Sequence, residues 1–241
     1  MDNRSAETSP QVYARIGGVL YLIIIVAGSL GELFIRGALV VSGDAAATAN
    51  NIMASPSLWR IGVAGDLIMH VCDVPLMLIF YVLLRPVHRN LALLAVLFNL
   101  MQSAVAVANK LNLLTALFFL GDAGYLNALT LQQRQALAYL AVKTHDYGFG
   151  VALIFFGFTC LVLGYLIFRS GYLPRILGIL MALAGLSYLT NSFALLLAPA
   201  FAAKLFPAIL LPAFIAELSL CLWLLVKGVN VPKWKEAAGC P

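Results

Sequence analysis

Long apolar segments alternate with short polar ones along most of the chain. A helix needs about 20 residues to cross a hydrocarbon core of about 30 Å. Six segments reach roughly that length, at about 13–35, 58–84, 91–109, 147–168, 176–197 and 205–226. Backbone polar groups in lipid must bond within their own segment, and the alternating pattern of a barrel strand is absent. The sequence therefore predicts an all-α fold, a polytopic transmembrane bundle of six spans that forms one integral membrane domain over residues 1–241.

Two shorter helices are predicted in the longer connections. Asp44 can cap a helix over about 45–54, and Thr130 with Gln133 forms a capping-box pattern that opens a helix over about 131–143. A straight helix from Leu131 to Phe168 would be longer than a span requires, so we expect a break near Gly148 and Gly150. Both short helices are therefore expected at the membrane interface.

Composition and charge support a membrane protein and set its orientation. Apolar residues make up 63% of the chain and charged residues 10%, too few charges for the surface of a soluble domain. The net charge is +5, but the basic residues stand singly at the ends of apolar runs, which argues against nucleic acid as a partner. With the N-terminus inside, the basic residues assigned to the cytoplasm are Arg4, Arg15, Arg85, Arg89, Arg169, Arg175, Lys227, Lys233 and Lys235. Those assigned to the outside are Arg36, Arg60, Lys110, Arg134, Lys143 and Lys204. Because Lys and Arg accumulate on the cytoplasmic side, both termini are predicted to be cytoplasmic.

Polar residues inside the predicted spans carry most of the functional information, since ionisable groups in lipid are costly and usually face a partner or a cavity. Asp66, His70 and Asp73 are spaced four and three residues apart, so they share one face of the second span. With His145 they are side chains of metal-binding types. These four residues are the candidates for a metal site.

Other spans place polar groups at a matching depth. Asn99 and Gln102 share a face of the third span, and Glu217 lies near the middle of the sixth. We therefore predict a polar intramembrane cavity in the outer half of the bundle. Its predicted ligand-binding residues are Asp66, His70, Asn99, Gln102 and Glu217.

Several functions remain open at this point. The leading hypothesis is a membrane protein that binds a small or lipophilic ligand, with membrane lipid as its other partner. The main alternative is an enzyme, either a metal-dependent hydrolase or an acid-initiated cyclase or isomerase with Asp66 and Glu217 as catalytic candidates. A proton-coupled transporter is the third. A hydrogen-bonded network that only holds the helices together is the competing structural explanation.

Familiar signatures of other functions are absent from the sequence. It contains no Walker loop, dinucleotide fingerprint, HExxH motif, nucleophile elbow or potassium-filter sequence. ATP-driven transport, zincin proteolysis and potassium channelling therefore lose their usual sequence support, and no cofactor can be named.

Five blocks of the chain resemble a known family. They are residues 15–26 (RIGGVLYLIIIV), 43–52 (GDAAATANNI), 81–87 (YVLLRPV), 164–178 (GYLIFRSGYLPRILG) and 217–228 (ELSLCLWLLVKG). They look like the bacterial membrane family catalogued as domain of unknown function 4386. The resemblance implies a six-span topology and a bacterial cytoplasmic (inner) membrane location, and it carries over no functional residue.

One position departs from that resemblance. Asn99 stands in the third span where such proteins are expected to carry an arginine. A charge pair between the third span and Asp66 or Glu217 is therefore not expected from this position.

Overall fold

Six helices in the computed structural model, which describes residues 9–239, are long and apolar enough to cross a membrane. In chain order, spans 1 to 6 are Pro10–Leu39, Pro56–Leu84, Arg89–Leu120, Leu131–Ser170, Arg175–Leu197 and Ala208–Val226. No β-strand occurs between residues 9 and 239. The prediction of an all-α bundle with six spans is confirmed.

Shorter helices lie between and after the spans. Ala45–Ala54 forms where the sequence predicts a helix, and the Asp44 carboxylate caps it by accepting a hydrogen bond from the Ala47 amide at 2.8 Å. Pro199–Leu205 and Val231–Ala237 are further short helices that the apolar pattern does not predict.

Span 4 is a single helix of 40 residues, and the expected break near Gly148 and Gly150 is wrong. The capping box of Thr130 and Gln133 opens the helix as predicted. The helix continues because tertiary packing supports it: a side chain at Gly148 would collide with the Asn109 amide group. Here glycine permits the close approach of span 3 instead of a break.

Span 1 changes its helical geometry near its end. It is α-helical over Pro10–Ser29, widens to a π-helix over Leu30–Arg36 and returns to α-helix over Gly37–Leu39. Such π-segments are rare and occur often at functional sites. This one carries two charged residues, Glu32 and Arg36, into the site described below.

The spans form a ring in chain order. Each packs against the next, and span 6 returns to pack against span 1. The loops joining spans 1 to 2, 3 to 4 and 5 to 6 lie at one end of the ring, here called the distal end. Residues 9 and 239 and the other two loops lie at the opposite, proximal end.

Spans 4 and 5 pack with their backbones in direct contact, and small residues explain why. A Cβ atom on Gly164 would lie 2.7 Å from the Gly178 carbonyl oxygen, and one on Gly185 would lie 2.7 Å from the Gly157 oxygen. Without side chains at these crossings, the two backbones pack directly against each other, as in many membrane helix pairs.

The tight connection between spans 4 and 5 is held by a glycine and a tyrosine. Gly171 ends span 4 in the left-handed conformation (φ 71°), which costs glycine little. The buried Tyr172 hydroxyl donates to the Leu83 carbonyl oxygen at 2.6 Å. Burial also raises the pKa of this hydroxyl, so that Tyr172 stays a hydrogen-bond donor.

Candidate ligand cavity and the ion-pair cluster beside it

A cavity of about 310 Å³ lies inside the ring. All six spans contribute to its wall, which is mostly apolar. It extends from the middle of the spans toward the distal end, where Leu33 of span 1 and Leu210 of span 6 line it. Its polar or charged lining residues are Ser29, Glu32, His70, Asp73, Gln102, Tyr188 and Glu217. Its size is at the small end of the range of roughly 300–1,000 Å³ for ligand pockets.

Two carboxyl groups of the cavity bond to neutral donors. Asp73 Oδ2 accepts from the Asn99 amide at 2.7 Å and from the Ser103 hydroxyl at 2.6 Å. The Tyr188 hydroxyl donates to Glu217 Oε1. Among the described residues that line the cavity there is no lysine or arginine.

His70 is the least satisfied polar residue of the cavity wall. Its side chain is buried, with 3% of its surface exposed, and its Nε2 atom has no hydrogen-bond partner. Buried polar atoms are nearly always paired with protein, water or ligand. The unpaired ring nitrogen of this wall residue is therefore a candidate hydrogen-bond partner for a ligand or a water.

A cluster of alternating charges lies beside the cavity and is centred on Asp66. Arg36 donates to both Asp66 oxygens, at 2.7 Å to Oδ2 and 3.3 Å to Oδ1. Lys110 Nζ lies 2.8 Å from the same Oδ2, and Arg36 Nε donates to Glu32 at 2.8 Å. Two acids and two bases thus balance one another and tie spans 1, 2 and 3 together.

The cluster continues into span 4. Lys110 Nζ is 3.2 Å from His145 Nε2, and the Asn109 amide donates to the His145 carbonyl oxygen at 2.8 Å. Lys110 also lies over the ring of Phe149, 5.5 Å from its centroid. The lysine therefore contacts a carboxylate, an imidazole and an aromatic face at once.

Arg36 and Lys110, which were assigned to the outer side from the sequence, lie within spans 1 and 3. Their side chains are 11% and 4% exposed, and both lie inside the bundle. Span 3 does not end near Asn109, because the apolar run after Lys110 extends the helix to Leu120. Span 3 thus supplies a charge partner for Asp66 after all, through Lys110.

The structure brings some of the predicted ligand-binding residues together. His70, Gln102 and Glu217 line the cavity. Asn99 does not line it but holds Asp73, which does. Asp66 is in the ion-pair cluster, 1% exposed, and is not part of the lining.

The four metal candidates are separated by their partners. Asp66 pairs with Arg36 and Lys110, Asp73 bonds to Asn99 and Ser103, and His145 contacts Lys110. Within residues 9–239, no three His, Cys, Asp or Glu side chains are grouped so that they could hold a metal ion. The residues present therefore do not fit the predicted metal centre.

Several residues of the site were not predicted from the sequence. Ser103 and Lys110 could have been, because they follow Asn99 at spacings of four and then seven residues and so share its helix face. The apolar residues after Lys110 were a further signal that it lies within a span. For Tyr188, whose ring also packs against Phe156 at 5.3 Å between centroids, we find no sequence signal.

Comparison with known proteins identifies the family of this chain. The fold is a multi-pass helical membrane bundle, and the model of the family described as "Domain of unknown function (DUF4386)" matches residues 16–228. The chain belongs to this family. It is also similar to an "Uncharacterized protein" of Archaeoglobus fulgidus, with 28% identity over 175 residues that cover 72% of this chain and 86% of that protein. No solved structure matches.

Proposed function

We propose that this protein binds a small lipophilic molecule with a polar group in the cavity inside its ring of spans. One observation carries the proposal: an apolar cavity of about 310 Å³ whose wall includes a buried histidine with an unpartnered Nε2. The apolar wall favours a lipophilic body, and His70, Gln102 and Glu217 offer hydrogen bonds to a polar end.

Native mass spectrometry of the protein purified gently from its own membrane tests this proposal. Leu153 lines the cavity, so Leu153→Trp is expected to fill part of it and displace a bound species. Leu183 of span 5 is 49% exposed on the outside of the bundle, so Leu183→Trp is the matched control. A species of definite mass that is lost in the first variant and kept in the second supports the proposal. An empty unaltered protein, or equal retention by both variants, contradicts it.

The location of the protein is part of the same proposal. We place it in a bacterial cytoplasmic membrane with both termini in the cytoplasm. The orientation rests on arginines at the two proximal loops: Arg85 and Arg89 at the loop between spans 2 and 3, and Arg169 and Arg175 on either side of the loop between spans 4 and 5. Cysteine labelling in intact cells tests the orientation. A cysteine in the distal helix Ala45–Ala54 should react with an impermeant reagent, whereas one at the exposed Asn90, at the proximal start of span 3, should not.

Proton-coupled transport is a second candidate function, and a specific chain of contacts favours it. From Glu32 in the cavity wall, ion pairs and hydrogen bonds lead through Arg36, Asp66 and Lys110 to His145. His145 Nδ1 then lies 3.8 Å from Asp146, whose side chain is 46% exposed. Series of ionisable groups inside a membrane often mark proton pathways. Because Arg36 keeps its own proton and His145 Nδ1 is too far from Asp146 for a hydrogen bond, bridging waters would have to complete this path. Uptake into liposomes driven by a pH gradient, and lost in Lys110→Met, would support it.

The enzyme alternatives have less support from the geometry. A metal-dependent hydrolase lacks a ligand set within residues 9–239. An acid-initiated cyclase or isomerase would use Asp66 and Glu217 together, but only Glu217 lines the cavity. Asp66 is held by two cations.

A further inference from the structure

Two of the three carboxyl groups in the cavity wall, those of Asp73 and Glu217, differ from the third, Glu32, and from the neighbouring Asp66. Asp66 and Glu32 have basic partners at 2.7–2.8 Å. Asp73 and Glu217 bond only to neutral donors, and Asp73 receives both of its bonds on Oδ2, which leaves Oδ1 without a donor among residues 9–239. A carboxylate inside a membrane is costly unless a positive charge or a proton compensates it.

The charge that would compensate these acids is not supplied by the bundle. The described lining has no lysine or arginine, and the two basic residues of the neighbouring cluster are already engaged by Asp66. His70 could accept or donate a hydrogen bond through its free Nε2, but it lies beside a cluster that already contains two cations. Two ways to compensate the acids then remain: a proton on each carboxyl group, or a positive charge on an occupant of the cavity.

Aromatic rings complete the wall around these acids. Phe149, Phe156, Phe214 and Tyr188 all line the cavity. Aromatic faces attract cations, and ammonium groups are often bound in this way. The protein contains its own example at this place, since Lys110 Nζ lies over the Phe149 ring.

We infer that the ligand of this cavity is a small lipophilic ammonium cation, held by Asp73 and Glu217 and surrounded by aromatic side chains. This inference rests on the proposed function, because it names the chemical class of the molecule that the cavity binds. The positive group would lie between the two carboxylates, and the apolar remainder would extend along the wall toward Leu33 and Phe214.

Two molecules of equal shape, one cationic and one neutral, test whether the cavity prefers a positive charge. Phenyltrimethylammonium and tert-butylbenzene differ in one atom, a positively charged nitrogen in place of a carbon. Their binding is measured by equilibrium dialysis against the protein in nanodiscs, with protein-free nanodiscs as the correction for partition into lipid. We expect the cation to bind at least about tenfold more tightly than the neutral molecule, the effect of one interaction with a charged group.

Variants of the two acids test whether Asp73 and Glu217 cause the preference for the cation. Asp73→Asn and Glu217→Gln keep the shape of the side chains and should each weaken phenyltrimethylammonium binding by about tenfold, with little change for tert-butylbenzene. Asp122→Asn and Glu236→Gln alter exposed acids outside the cavity and should change neither. The comparison of the two molecules uses the unaltered protein, so it stands even where a variant fails to fold.

The outcomes distinguish this inference from the proposed function. Equal binding of both molecules, or tighter binding of tert-butylbenzene, overturns the cationic ligand and leaves a cavity for neutral molecules in place. An unchanged preference in both Asp73→Asn and Glu217→Gln overturns the assigned site. If neither molecule binds above the protein-free control, the inference fails, and the comparison of Leu153→Trp with Leu183→Trp decides separately whether the cavity holds any ligand.

Discussion

Two neighbouring groups of acids in this protein differ in their partners: one has basic side chains, the other only neutral hydrogen-bond donors. Asp66 is surrounded by Arg36 and Lys110, and its charges are balanced within the bundle. Asp73, on the same face of the same span, and Glu217 of span 6 bond to amide and hydroxyl groups alone. The difference teaches that a polar residue in a span has a structural role where its partner is another span, and is available for a ligand where its partner is missing.

Removal of the Asp66 charge should have the largest effect on stability. Asp66→Asn leaves Lys110 without an acid and Arg36 with Glu32 alone, and breaking a buried ion pair in this way costs about 3–5 kcal/mol. Unfolding in mixed micelles, followed by circular dichroism, measures the free energy. Adding Lys110→Met removes the orphaned cation and should recover part of the loss. A loss below about 1 kcal/mol would show that the cluster is not structural.

The next largest effect is expected at Gly31, which makes room for the cluster. A Cβ atom there would lie 2.6 Å from Asp66 Oδ1 and 3.3 Å from an Arg36 nitrogen. Gly31→Ala should therefore lower the free energy of unfolding by about 1–3 kcal/mol. Gly65→Ala is the control, because nothing lies within 4 Å of its added carbon. There the higher helix propensity of alanine should leave stability unchanged or raise it by up to about 1 kcal/mol. Equal effects at the two sites would contradict the packing described.

A small effect on stability is expected for the cavity acids. Asp73→Asn and Glu217→Gln leave no cation unpaired, and the new amides can still accept from Asn99, Ser103 or Tyr188. In the absence of ligand, unfolding in the same micelles should change by no more than about 1 kcal/mol in either direction. A loss as large as that of Asp66→Asn would place these residues with the structural cluster and remove the contrast between the two groups.

The smallest effect is expected where an ion pair is exposed. Lys143 Nζ lies 3.2 Å from Asp146 Oδ2, and both side chains are more than a third exposed. Asp146→Asn should change stability by about 0.5 kcal/mol or less, because solvent screens such pairs. A larger loss would mean that Asp146 acts through His145 and belongs to the buried cluster. A parallel measurement on Lys143→Met gives the contribution of the exposed pair alone, because that variant leaves Asp146 and His145 in place.

The sequence by itself determined the number and type of the spans. Each span satisfies its own backbone hydrogen bonds and meets lipid with apolar side chains, so these properties are local and readable from runs of residues. The caps at Asp44 and Thr130 were predictable for the same reason, since a cap involves residues only three apart. The shared face of Asp66, His70 and Asp73 also followed from helical spacing alone.

Only the tertiary structure decided which of these polar residues have partners. Asp66 and Asp73 lie on one face, yet the first meets Lys110 of span 3 and Arg36 of span 1, and the second meets Asn99 and the cavity. That choice depends on the rotation and depth of each helix relative to its neighbours. These are set by contacts between residues distant in the chain, such as Gly31 against Asp66 and Gly148 against Asn109. Because lipid treats all apolar faces alike, hydrophobicity cannot set the rotation, and packing between the helices must do so.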